Sequence, residues 1–341
     1  MGAATQPASL TDLRTALLNS MQDVTGVTAI NTIADRYLNS ALYDVHINPG
    51  QNFPWAVRRA YLTTHATYTT GTVSVTAAAR TTATGVGTLW NTVVTGYGFN
   101  NTRVGGKMKF AGSQNIYEVS AIASDTSMTI DPNWVGDALS AVAYTYFEDE
   151  YALASDFLRP YDMRSFDLNS ETPLIGPMDF RRSFPRNSLP RKPQVATIVD
   201  NIKFIGSTAP QPRVLLAPPP DKVYSIPYSY ITSNLAVSSA GTAQAQMTAD
   251  ADEPIVPLMF RHLLVLNAAY HWYRDRKDDQ RSQEVKAEYT DLMQRVVGTG
   301  NIGQDRASFR VDNSRYSATG RLGRFDTESG AFDGLRDRRW R

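Results

Sequence analysis

The chain has 341 residues, no cysteine, and 34 basic against 33 acidic side chains. That length suffices for about two domains, each with its own core, and the missing thiols exclude disulfides, thiolate nucleophiles and thiolate metal sites. A formal net charge of +1 argues against high-affinity wrapping of nucleic acid by the whole chain, which calls for a strong basic excess.

No run of eighteen apolar residues occurs, so no helical membrane span is predicted. The start, MGAATQPAS, lacks the basic and apolar regions of a signal peptide. The first block is helical in pattern. Ser9 and Asp12 form a capping pair ahead of Leu10, Leu13 and Leu17, and Ile30, Ile33, Ala34, Tyr37, Leu38, Ala41 and Leu42 keep the 3.6-residue repeat. A short third helix is predicted from Pro54 through Leu62, with proline in the first turn, where its missing donor costs nothing.

From Tyr68 to Phe147 the pattern changes to short alternating bursts separated by glycine, threonine and serine: Val73 and Val75, Met108 and Phe110, Tyr117 and Val119, Met128 and Ile130, then Val142, Tyr144 and Tyr146. Such spacing predicts a compact all-β unit, a small barrel or sandwich, with Trp90 and Trp134 as core plugs. Helical blocks flank it, so it is expected as an insertion. Residues 161–195 are rich in arginine and proline and predict a long ordered loop. Strands are expected at Val195 to Ile205, at Val214 to Ala217, and through Tyr224, Ile226, Tyr228 and Tyr230, which share one face of an extended segment; Pro227 limits that segment to an edge or bulge. A long helix follows Pro254 and Pro257. Its apolar stripe runs through Met259, Leu263, Leu266, Tyr270 and Tyr273, then resumes at Val285, Tyr289, Leu292 and Val296. The charged middle, Arg274 to Arg281, fits a solvated face, a turn between two helices, or an ion-pair belt between subunits.

Catalytic chemistry finds little footing. His46, His65, His262 and His271 form no H-E-x-x-H pattern, so no metal and no cofactor is expected. Gly105-Gly106-Lys107-Met108 imitates the end of a phosphate loop, but Asn101 and Met108 stand where glycine and a hydroxyl are needed. Glu148-Asp149-Glu150 is the densest carboxylate cluster. Neighbours on an extended chain point to opposite faces, so it fits an acidic hinge better than a glycosidase pair. The chain is expected not to be an enzyme.

The segment 303–341 has nine arginines, no lysine, and aromatics at near-regular intervals. Arginine suits planar, partly desolvated contacts, and solvated tails shed aromatics. The expected docking residues are Phe309, Arg310, Arg315, Tyr316, Arg321, Arg324, Phe325, Phe332, Arg338, Arg339 and Trp340; a solvated basic tail is the alternative.

The order of parts resembles the head-to-tail adaptor (connector) proteins of tailed bacteriophages. The residues that carry the likeness are the N-terminal helical pair, the β block with TGVGTLWN, GGKMKFAG, IYEVSAIASDTSMTI and AYTYF, the strand PPPDKVYSIPYSYI, the DEPIVP segment and the helix LLVLNAAYHWY. The resemblance covers most of residues 10–298 and implies an α+β fold. Its parts would be a helical adaptor core (1–67 and 148–302), an inserted small all-β domain (68–147) and an extended C-terminal arm (303–341). It also implies a structural virion protein of the phage neck, forming a twelve-fold ring of identical subunits beneath the portal and extending the DNA channel through which viral double-stranded DNA passes. Portal and tail or nozzle proteins would be its partners, with assembly in the host cytoplasm. The smaller adaptors lack so large a β insertion. The alternatives are another tail or nozzle component and a carbohydrate-binding module.

Overall fold

The computed structural model of the chain describes residues 6–21, 28–47, 52–165, 170–185, 188–202 and 211–300, together with 325–326 and 331–332. The chain divides into two compact units, one made of Met1–Arg58 with Ile231–Arg341, the other of Arg59–Tyr230.

The first unit opens with α1 (Leu10–Ser20) and α2 (Thr28–Ile47). Helix α1 starts on a capping box: the Asp12 N–H donates to Ser9 Oγ at 3.3 Å, and the Ser9 N–H donates to Asp12 Oδ2 at 3.1 Å. The predicted helix after Pro54 does not form. A single 3-10 turn at Pro54–Ala56 leads into strand β1 (Val57–Thr63). Residues Val57, Tyr61 and Thr63 favour a pleated strand, and pairing with a later strand outweighs the helix-start signal of Pro54.

In the second unit, β2 (Thr72–Val75), β3 (Thr82–Val86), β4 (Lys107–Phe110), β5 (Tyr117–Ser124), β6 (Ser127–Asp131), β7 (Leu139–Val142) and β8 (Tyr144–Phe147) form one antiparallel sheet in the order β7-β2-β3-β6-β5-β4-β8. Its two outermost strands are successive halves of one ribbon, so the sheet curls into a half-barrel. The alternating inward residues Val73, Val75, Met108, Phe110, Val119 and Ile130 fill it. Trp90 and Trp134 are 0% and 6% exposed in that core, and the Trp90 indole N–H donates to Tyr144 Oη at 2.9 Å.

Beyond it come β9 (Glu150–Ala152), β10 (Phe157–Ser165), β11 (Ser170–Glu171), α3 (Pro177–Ser183), β12 (Val195–Ile202), β13 (Gln211–Ala217) and β14 (Ser225–Thr232). They make a three-stranded sheet, β12-β13-β9, and a four-stranded sheet, β1-β14-β10-β11. Tyr224, Ile226, Tyr228 and Tyr230 are buried together with Tyr151, Leu216 and Phe157 in a second core of this unit. Strand β14 lies inside its sheet, not at an edge. The expected long loop at 161–195 is replaced by the end of β10, then β11 and α3.

Back in the first unit, the short ladders β15 (Ala236–Val237), β16 (Ala243–Gln244) and β17 (Glu253–Pro254) precede α4 (His262–Asp275) and α5 (Asp279–Gly300). Leu13, Leu17, Leu38, Leu42, Leu264 and Ala268 form the middle of its core. The charged stretch from Arg274 to Arg281 is a turn between helices: Lys277 takes a left-handed φ of 61° after α4, and Asp278 Oδ1 accepts from the Arg281 N–H at 3.2 Å at the start of α5.

The expected helical adaptor core with a small β insertion is therefore corrected. The fold is mostly β, with several antiparallel sheets and 29% of residues helical. Residues 148–230, assigned to that core, form strands packed in the same unit as the half-barrel, because their hydrophobic alternation has a period of two.

Candidate functional site

The acidic triplet is the natural place to look for chemistry. Strand β8 ends at Phe147 and β9 begins at Glu150, so Glu148, Asp149 and Glu150 join the half-barrel to the three-stranded sheet. As expected for an extended chain, they diverge, and each meets a different cation. Arg103 forks onto Glu148, with Nε donating to Oε1 at 3.0 Å and Nη2 donating to Oε2. Lys107 Nζ lies 2.7 Å from the Asp149 carboxylate. Arg213 Nε on β13 lies 2.8 Å from Glu150 Oε1. The Tyr146 hydroxyl donates to Glu148 Oε1 at 2.6 Å, and the Tyr151 hydroxyl donates to the Glu148 carbonyl at 3.1 Å.

These groups are desolvated. Burial, then the charge of Glu148, pushes both Tyr146 and Tyr151 well above the usual tyrosine range, so both remain neutral donors. Burial also raises the Glu150 carboxyl against the opposing pull of Arg213 and Lys107, and raises the Glu118 carboxyl beside Lys107. One cation per carboxylate makes this a clamp: Arg103 and Lys107 hold the residues that leave β8, and Arg213 holds Glu150 from the neighbouring strand of the same sheet.

The phosphate-loop imitation has a structural task as well. Gly106 lies so close to Tyr146 that an added Cβ would stand 2.0 Å from the hydroxyl, and Lys107 is engaged by Asp149. Two histidines support the backbone. His46 Nδ1 lies 2.7 Å from the Leu42 carbonyl while Nε2 accepts from the Trp55 indole N–H at 3.1 Å. Both ring nitrogens of buried His65 face carbonyl oxygens, Ala66 at 2.6 Å and Asn100 at 2.8 Å. His271 Nε2 lies 2.8 Å from Asp44. Among the described residues no group of three or more His, Asp or Glu side chains is placed to hold a metal ion.

A different feature stands out as a surface for contact. Between Arg80 and Arg103 lie 22 consecutive residues without a charge. They include β3 and a finger that leaves it at Gly87 and returns at Thr102. The finger is pinned at its base. Asp125, in the β5–β6 turn, accepts from the Asn91 N–H at 2.8 Å and the Thr92 hydroxyl at 3.1 Å through Oδ1, and from the Thr88 hydroxyl at 2.6 Å through its carbonyl. Buried Trp90 plugs the core beneath, and the Thr102 N–H donates to its carbonyl at 3.0 Å. At the tip, the Val94 N–H donates to the Phe99 carbonyl at 2.8 Å, while Gly96 and Gly98 take φ of 89° and 72°, where a side chain would be strained. The Tyr97 and Phe99 rings stack at 5.5 Å, and the Arg103 guanidinium covers Phe99. What remains outward is uncharged: Val86, Leu89, Val93 and Tyr97 are 65%, 48%, 57% and 54% exposed, with Asn91, Thr92 and Thr95 exposed among them. Sequence reading missed this surface, although the long uncharged interval was available as its signal.

Of the residues expected to dock a partner, Phe309, Arg310, Arg315, Tyr316, Arg321, Arg324, Arg338, Arg339 and Trp340 lie outside the described residues. Phe325 and Phe332 are described in backbone alone, as cross-strand partners in the antiparallel pair β18 (Phe325–Asp326) and β19 (Ala331–Phe332). No model of a known protein family matches the chain, and no curated protein matches it.

Proposed function

We propose that the chain is a structural subunit of a tailed-bacteriophage neck, assembling as a ring beneath the portal, joining head to tail and extending the channel for DNA. The observation that carries the reading is the pinned, uncharged finger. A monomer that meets only water has no use for a tyrosine, a leucine and a valine displayed on a braced loop, with Val86 exposed on the strand that feeds it, and charge-depleted, aromatic-bearing patches are how proteins hold permanent neighbours. The order of sequence segments shared with head-to-tail adaptors supports the choice of assembly, and the arginine- and aromatic-rich segment 303–341 supplies a contact for the portal. The cation clamp adds to this, since Lys107 on β4 holds Asp149, whose carbonyl accepts from the Leu216 N–H on β13, and so braces the step from one sheet to the next.

Electron microscopy of the purified protein mixed with its portal tests the proposal. Rings seated on the portal are expected, and removal of residues 303–341 is expected to leave a folded body that no longer joins. A chain that stays monomeric beside the portal refutes the assignment. Another tail or nozzle component would instead assemble without a portal. A carbohydrate-binding role through Trp90 and Trp134 is disfavoured by their burial.

A further inference from the structure

The half-barrel has a second uncovered feature. A cleft of about 320 Å³ opens where the β4–β5 loop, Ala111 to Gln114, meets Ala143 to Thr145 and the segment Ser188 to Pro190. It holds roughly ten waters' worth of space. Among the described lining residues Lys109 carries the single charge. Phe110 and Tyr144, both core residues, contribute to the lining, while Leu189 stands 65% exposed beside them.

The positions of finger and cleft are fixed by one strand. Strand β5 runs from Tyr117 to Ser124; the β4–β5 loop enters its first end, and the turn containing Asp125, which holds the finger, follows its last. The two features therefore cap opposite ends of an eight-residue strand, about 24 Å apart along it. An uncharged projection carrying exposed Val93 and Tyr97 at one pole and a nearly uncharged recess at the other cannot meet within one molecule, and two-fold pairing would set finger against finger. They do match between successive copies.

We infer that copies of this chain associate head to tail, the finger of one copy, led by Tyr97 and Val93, entering the cleft under Leu189 on the next. The occupant is a second copy because the two surfaces match in their lack of charge: neither leaves an unpaired charge buried on the other, beyond a Lys109 whose long stem can carry its ammonium to the rim. Tyrosine suits the entering position, since it offers a large apolar ring with few rotors to freeze and a hydroxyl for the polar edge formed by Ser113 and Gln114. The contact is heterologous, the kind that yields closed rings or open filaments according to the rotation between copies. The inference rests on the ring proposed above and names the surfaces that build it.

The absence of native cysteine makes the test direct. Full-length Tyr97→Cys and Leu189→Cys chains, mixed under oxidising conditions, are expected to give a dimer joined between the two. The double variant is expected to give a ladder of covalent oligomers. Tyr97→Asp, which faces solvent in the free subunit and leaves the fold intact by circular dichroism, is expected to weaken self-association about thirtyfold by sedimentation. If assembled particles form but no 97-to-189 link appears, this contact is wrong while the neck assignment stands. Linking only between two copies of Tyr97→Cys shows an isologous contact and overturns the head-to-tail inference. Neither particles nor links at any concentration overturns it too, and the portal experiment then decides the assignment separately.

Discussion

Replacing Arg213 by methionine removes the guanidinium that faces Glu150 at 2.8 Å, in a pair whose side chains are 8% and 16% exposed. Deleting one partner of a buried pair costs about 3–5 kcal/mol, because the other charge is stranded. Lys107 still favours the ionised Glu150, so the lower end, about 3 kcal/mol, is expected. For a unit of this size that is roughly 6–12 °C of melting temperature. Arg213→Met combined with Glu150→Leu deletes both charges and is expected to recover most of the loss, since well-packed apolar pairs replace buried ion pairs at little cost. The pH dependence has a definite sign. Burial raises the Glu150 carboxyl above its ordinary value, so as pH falls the folded form takes up a proton before the unfolded form does. The penalty in Arg213→Met is therefore full above the folded pKa and shrinks as pH drops through it. Urea unfolding of the two variants and the parent chain, followed by near-ultraviolet dichroism from pH 7 down to pH 5, measures all three effects. If the double variant is as unstable as the single one, or the single variant's loss ignores pH, the ion pair is not what holds β9 against β13.

Gly106→Ala is expected to destabilise the half-barrel by about 3 kcal/mol or more, since its methyl would overlap the Tyr146 ring and hydroxyl in a closely packed core; a thermal melt within 2 °C of the parent would contradict this. In the first unit, Asp252 Oδ2 accepts from the Ala249 and Thr248 N–H groups, each at 2.7 Å, and these bonds hold its carboxyl below the ordinary aspartate range. Asp252→Ala is expected to cost about 2 kcal/mol at neutral pH. Because the folded pKa is depressed, the gap between parent and variant is present above the unfolded value of about 3.9 and closes as pH falls through the folded one; a pH-titrated urea series reads it. Asp125→Ala frees the finger base while leaving Trp90 in the core, and faster amide exchange is expected at Asn91 without change at Met108 or Ile130. Unchanged exchange at Asn91 would mean that the finger is held by Trp90 alone.

Much of the local structure was legible because it depends on neighbours in sequence. The Ser9–Asp12 cap, the stripe of α2 and the alternation at Val73, Met108, Val119 and Ile130 are short-range signals; the structure carries the cap and the alternation, and it buries the stripe at Ala34, Leu38, Ala41 and Leu42 while leaving Ile33 exposed. Trp90 and Trp134 were expected as core plugs on size and turn context, and they are buried. What failed depended on distant partners. Val57 to Leu62, interrupted by Arg58 and Arg59, carries too weak a pattern to choose its own conformation, and β14, more than 160 residues later, decides for a strand. Strand β10 contains Pro160, which hides its period of two. The acidic triplet was visible, but Arg103, Lys107 and Arg213 are up to 63 residues away from the carboxylates that they meet, so its role as a clamp was not. The finger escaped notice because sequence reading weighs what is present, and here the informative property was an interval without charge.

The ribbon Leu139–Phe147 has one more consequence. Its first half pairs with β2 and its second with β4, and Tyr146 also exchanges both backbone hydrogen bonds with Tyr68, at 2.8 and 3.0 Å. A foreign peptide therefore finds almost no unoccupied main-chain ladder along this sheet, which closes the route to amyloid-like stacking and strand swapping. Many copies crowded into a small volume would have to recognise one another by side-chain shape, and a single substitution at the surface is then enough to switch that recognition off.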